Sequence, residues 1–143
     1  MIHIGVAQYL GSMINGLAYS ESSDEGNVFV DGMPSTPDRA VAVYITGGPE
    51  ADSLLPYDPV TFQVVFRCES GTLWALTMWA QVYSLLHGKR NFTLPDGTIV
   101  VYTLATHASP VRLGADVSGR SEYSLDVRGE VINPTTERPG PGS

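Results

Sequence analysis

The side chains of this chain best suited to bind a metal or attack an electrophile are three histidines and one cysteine. His3, His87 and His107 lie far apart, and none has a ligand-type residue two, three or four positions on. Locally built metal sites use those spacings, so isolated polar or capping histidines are expected. Cys68 closes an apolar strand face, which predicts a buried thiol. A nucleophilic cysteine would need exposure and a neighbouring base. A single cysteine also excludes an internal disulfide and any multi-cysteine metal site. Carboxylates pair at Asp24-Glu25 and at Glu50/Asp52, in loop-like stretches. Acid–base or metal chemistry there would require convergent partners that the spacing does not supply, and solvated loop charge is the expectation. Gly47-Gly48 and Gly114/Gly119 form neither a GxxxxGK[ST] nor a GxGxxG phosphate loop. Trp74 and Trp79 are expected to pack in a core or an interface. No cofactor is implied and no catalytic constellation stands out, which points to a structural or binding role without turnover.

Composition narrows the class further. At 143 residues with 43% hydrophobic side chains, the chain suits one domain with one proper core. Charged residues make up 16%, below the usual ~25%, which argues against a disordered chain. The net charge is −7 and Lys89-Arg90 is the only adjacent basic pair. Binding nucleic acid by wrapping phosphates is therefore disfavoured. The opening MIHIGVAQYL lacks the basic region of a signal peptide. Between Ser70 and Gly88 no residue is formally charged, close to the ~20 residues of a membrane span. Ser70, Thr72, Thr77, Gln81, Ser84 and His87 interrupt that run, and mean hydropathy is only +0.01. A buried helix of a soluble intracellular or virion protein is expected, with no membrane partner.

The elements that must position these residues follow from periodicity. Val6, Leu10, Met13, Ile14 and Leu17 trace one face of a helix over residues 2–17. A polar, acidic loop follows over residues 20–26. Short strands are predicted over 27–31 and 39–46. A long loop over 47–59 carries three prolines together with Leu54, Leu55 and Tyr57. The clearest strand covers 60–68, with Val60, Phe62, Val64, Phe66 and Cys68 on one face. A second helix is predicted over 71–87, with Ser70 as cap, Gly88 at C′ and Lys89-Arg90 complementing its dipole. Its polar positions form one narrow stripe, so it carries more apolar surface than one core face needs. Pro95-Asp96-Gly97-Thr98 marks a hairpin. Residues 108–119 read as a loop and 120–132 as a long strand, with Gly129 at a bulge. The proline- and glycine-rich segment 133–143 reads as a disordered, dispensable tail after a single domain over 1–132. The fold class is α+β: a mostly antiparallel sheet with two helices packed on one face.

A set of short motifs runs in order along this frame. They are Pro37-Asp38-Arg39-Ala40-Val41-Ala42-Val43-Tyr44, Gly47-Gly48, and Phe62-Gln63-Val64 with Arg67. Tyr83-Ser84-Leu85-Leu86 ends the second helix, and Leu113-Gly114-Ala115-Asp116 precedes Gly119-Arg120 and a closing strand with Tyr123. In order and spacing, from about Ile2 to Ile132, the chain resembles the tail terminator and minor capsid proteins of long-tailed bacteriophages.

That resemblance implies a structural subunit of the virion head–tail junction. It would assemble with copies of itself into a ring, six-fold, on the finished tail tube. Its partners would be the major tail tube protein and a head completion or connector protein, with DNA passing through unbound. Leu54, Leu55, Tyr57, Trp74 and Met78 are the candidate partner-interface residues. Asp24, Glu25, Glu50 and Asp52 are candidates for an acidic loop or lumen, where repulsion would keep DNA sliding. The rival readings are a head-closure or adaptor protein of the connector, and a small α+β ligand-binding domain.

Overall fold

In the computed structural model, residues 1–20 and 25–140 are described. Helix α1 (Ile2–Met13) leads into strands β1 (Val28–Val30), β2 (Ala40–Ile45) and β3 (Tyr57–Cys68). Helix α2 (Trp74–Leu86) follows, then β4 (Lys89–Thr93), β5 (Ile99–Ala105), β6 (Val111–Ala115) and β7 (Ser121–Ile132). The fold is α+β. Seven strands form one sheet in the order β1-β2-β3-β7-β5-β4, with β6 paired beside β7. Every pairing is antiparallel except β1 with β2. β5 pairs the second half of β7 and β6 its first half.

The period-2 pattern decides which face meets the helices. Val41, Val43, Phe62, Val64, Phe66, Leu125 and Val127 join Val6, Leu10, Trp79 and Val82 in one core. The opposite face is not uniformly wet. Residues 31–39 cross it to bring the chain from β1 back to parallel β2, and Asp31 turns the chain with φ 58°. Met33 packs there against Phe29, Ala40 and Ala42, a second and smaller apolar cluster. As a result Val65 and Arg67, outward-facing by alternation, are also buried.

Several local expectations shift, each for a visible reason. α1 stops at Met13, because Ile14 turns extended (φ −115°, ψ 122°) and Gly16 takes φ 92°. Ile14 and Leu17 still reach the core from the following turn. α2 starts at Trp74 with no side-chain cap, since Ser70 Oγ donates instead to Gly119 O. Lys89 and Arg90 begin β4, and Lys89 Nζ lies 5.1 Å from the centre of the Phe92 ring. The register irregularities against β7 fall in β5, between Val100 and Tyr102, and in β6, between Arg112 and Gly114, and not at Gly129. A Cβ on Gly129 would sit 2.6 Å from Tyr102 O, so that glycine permits close backbone approach. The expected loop 108–119 contains β6. The Pro-Asp-Gly turn stands as expected: Gly97 has φ 94°, and Leu94 N–H donates to Thr98 O at 2.9 Å.

Candidate interaction surfaces

Arg67, near the end of β3, and Arg120, just before β7, both reach the crossover. Arg67 Nη2 donates to Pro37 O at 2.6 Å and Nε to Asp38 O at 3.3 Å. Arg120 Nη1 donates to Ser35 O at 2.6 Å and reaches Asp38 Oδ1 at 3.3 Å. Its Nε meets Asp116 Oδ2 at 2.7 Å. Asp116 Oδ1 also accepts the Ser118 and Arg120 N–H groups, both at 2.9 Å. Burial pushes the Arg67 pKa down, and the Arg120 charge adds to this. Burial alone would raise the Asp116 pKa. The Arg120 amide and guanidinium and the Ser118 amide outweigh it and hold that carboxyl below its ordinary value. A guanidinium has five donors and no acceptor. Here the donors engage carbonyls and carboxylates of the chain itself, so the cluster works as a latch on the crossover. Pro37-Asp38, Arg67, Asp116 and Gly119-Arg120 are the motif residues of the sequence, and the fold brings them to this one place.

A second constellation sits at the far end of β3. Asp52 Oδ1 accepts the N–H groups of Leu54 and Leu55, each at 2.7 Å. Those two bonds, Leu55 first, hold the Asp52 carboxyl below its ordinary pKa. Arg138 Nη1 donates to Asp52 O at 3.0 Å and Leu55 O at 2.9 Å, and its Nη2 lies 2.8 Å from Asp58 Oδ1. Asn133 Nδ2 donates to Asp58 Oδ2 at 2.7 Å, and its backbone N–H donates to Pro56 O. The Asn133 bond, with Arg138 behind it, lowers the Asp58 pKa. The segment after β7 is therefore tied to the β2–β3 loop through Arg138, contacts that its Pro/Gly composition does not signal. The tied loop holds Leu54 81% exposed and Leu55 half out, with Tyr57 exposed beside them.

The helix layer has its own apolar surface. α2 buries Ala75, Met78, Trp79, Val82 and Leu86, and Leu73, just before it, is 71% exposed. Met13, Leu73, Leu76, Ala80 and Leu85, rimmed by Gln81, line an open groove of about 860 Å³ between α2 and the end of α1. Of the residues named for partner contact, Trp74 is half-buried at the start of α2. Met78 is corrected: at 7% exposure it is a core residue, its side chain reaching the turn after α1 beside Gly16. The acidic candidates do not gather. Asp24 lies outside the described residues. Glu25 is exposed before β1, while Glu50 and Asp52 are exposed beyond the end of β2. Since β1 and β2 run parallel, Glu25 lies at the opposite end of that strand pair from the other two.

His87 and His107 serve the backbone. His107 Nε2 accepts the Asp126 N–H at 3.0 Å, so its Nδ1 is the donor to Ser109 O at 2.7 Å. Trp79 Nε1 donates to Ser124 O at 2.8 Å. Both bonds satisfy β7 backbone where β5 has left it and β6 begins. His87 Nδ1 accepts the Ala105 N–H at 3.0 Å, and Trp79, Tyr83 and His87 stack along α2 at 5.1 and 4.9 Å. His3 bonds Asp31 at 2.8 Å, and Cys68 is buried. Among the described residues no three His, Cys, Asp or Glu side chains converge as a metal site, and no helix is long and apolar enough to cross a membrane.

Known proteins were compared with this arrangement. No curated protein matches the chain by sequence. One matching solved structure is 14% identical, covers 90% of this chain and 89% of its own, and superposes with a TM-score of 0.52, a likeness of fold. A family model described as bacteriophage tail terminator protein matches residues 4–129. That stretch takes in both helices, nearly all of the sheet and the whole arginine latch. The chain belongs to the bacteriophage tail terminator protein family.

Proposed function

We propose that this phage tail protein closes the finished tail tube as a ring of identical copies, six-fold, and offers the head connector its docking face. The observation that carries this reading is the family match over residues 4–129. Two features of the chain support it. Apolar side chains stand exposed at Leu73, just before α2, and on the β2–β3 loop, as a subunit that must meet several neighbours requires. The net charge of −7 suits a channel through which DNA slides, since like charge keeps phosphate from binding. Such a subunit acts by occlusion and docking. Once the ring caps the tube, the next tube subunit has no free end to join, and no bond is made or broken.

The decisive experiment is electron microscopy of a phage that lacks this protein. Filled heads, unjoined tails and tubes of abnormal length are expected. Normal joined particles would overturn the proposal. Empty heads beside normal free tails would move the protein to the head side of the junction.

A further inference from the structure

A ring that closes by rotation needs two different, mutually complementary patches on every copy. The chain carries one convex apolar patch and one concave one, on separate parts of the fold. The convex patch is the Leu54–Leu55 tip. It is fixed before any partner arrives, by the two amide bonds to Asp52 and by Arg138 beneath it. A tip so fixed loses little conformational freedom on docking. The concave patch is the groove beside α2, floored by Leu73, Leu76, Ala80 and Leu85. Resting on the ring reading above, we propose that the Leu54–Leu55 tip of one copy seats in the α1–α2 groove of its neighbour.

Lack of charge at the groove lets a second, like-charged copy approach it there. Two subunits at −7 repel each other over most of their surfaces. None of the groove-lining residues carries a charge. At the tip, Asp52 is turned onto backbone amides, and Asp58 is paired with Arg138 and Asn133 behind it. The two patches therefore meet without trapping an unpaired charge. Gln81 and Ser84 stand at the groove's edge, where an interface carries its polar rim. The contact is head-to-tail, so each copy gives its tip to one neighbour and its groove to the other.

Cysteine pairing tests the proposal. A chain carrying Leu54→Cys and Ala80→Cys together, and a second carrying Leu55→Cys and Ser84→Cys to cover a shift along the helix, are oxidised under conditions where the unmodified protein forms rings. These positions are solvent-exposed, apart from the native Cys68, which is buried. At least one paired variant is expected to give a covalent ladder that ends at the ring's full copy number, while each single-cysteine variant remains monomeric on denaturing gels. Rings in micrographs with no ladder from either pair would overturn the contact and leave the ring reading standing. Dimers from Leu54→Cys alone would also overturn it, because they mean tip meets tip. Absence of rings from the unmodified protein, free or on tubes, would overturn the ring reading itself and this contact with it.

Discussion

Arg120 joins the crossover to the turn before β7, touching Asp116, Ser35 and Asp38 with one guanidinium. Removing one partner of a buried ion pair leaves uncompensated charge and unmet acceptors. Arg120→Ala is expected to cost about 3 kcal/mol in urea unfolding, and amide exchange over residues 33–38 should rise as the crossover loosens. A loss within experimental error would show that the crossover is held without the latch. Three carboxylates, one of them in the latch, set an acid limb. Asp52, Asp58 and Asp116 all have folded pKa values below their ordinary ones. Such groups stabilise the fold above the unfolded value, near ~4, and that contribution disappears as pH falls through the folded value. The melting temperature should hold from neutral pH to about 5 and then fall. In Asp116→Asn the fall should be shallower, from a lower starting point. The sequence displays every residue of this cluster but not the cluster itself, because Ser35 and Arg120 are 85 positions apart and only the sheet brings them together.

Among the elements, those with a strong period were legible. β3 shows its alternation in Phe62, Val64 and Phe66, and the β4–β5 hairpin shows its turn in Pro95-Asp96-Gly97. Phe62 and Phe66 are fully buried between sheet and helices, so Phe62→Ala or Phe66→Ala should cost about 3–5 kcal/mol in chemical denaturation. A loss under about 1 kcal/mol would mean the strand tolerates a register slip. Weak-period elements were not legible. β6 is five residues with exposed side chains at four of them, so neither hydrophobic alternation nor burial marks it, and only pairing to β7 makes it a strand. Helix ends were misplaced because local turns, with Gly16 and Gly71 at positive φ, cut short an apolar stripe that continues past them. Val65 and Arg67 alternate onto the face opposite Phe62 and Phe66, and their burial there depends on a crossover whose course no local pattern reveals.

At the scale of the molecule, the segment after β7 returns to the β2–β3 loop. Asn133 and Arg138 bind the loop that carries the tip. Deleting residues 134–143 is therefore expected to leave the sheet folded, with a fall in stability of about 1 kcal/mol, while amide exchange at Leu54 and Leu55 accelerates. Arg138→Ala alone should reproduce most of that change. Equal exchange in all three chains would show that Asp52 suffices to hold the tip. The sheet order carries a different consequence, for how the polypeptide is made. β7, the seventh strand in sequence, lies in the middle of the sheet, between β3 and β5. While a ribosome is still translating the earlier elements, the 12 residues of β3 have β2 on one side and an open edge on the other. Open apolar edges invite pairing with other chains, and folding that waits on distant contacts prolongs the exposure. Residues 121–132 are thus the keystone of biosynthesis: a nascent chain released before they emerge is left as a sticky half-sheet in need of a chaperone, not as a smaller working subunit.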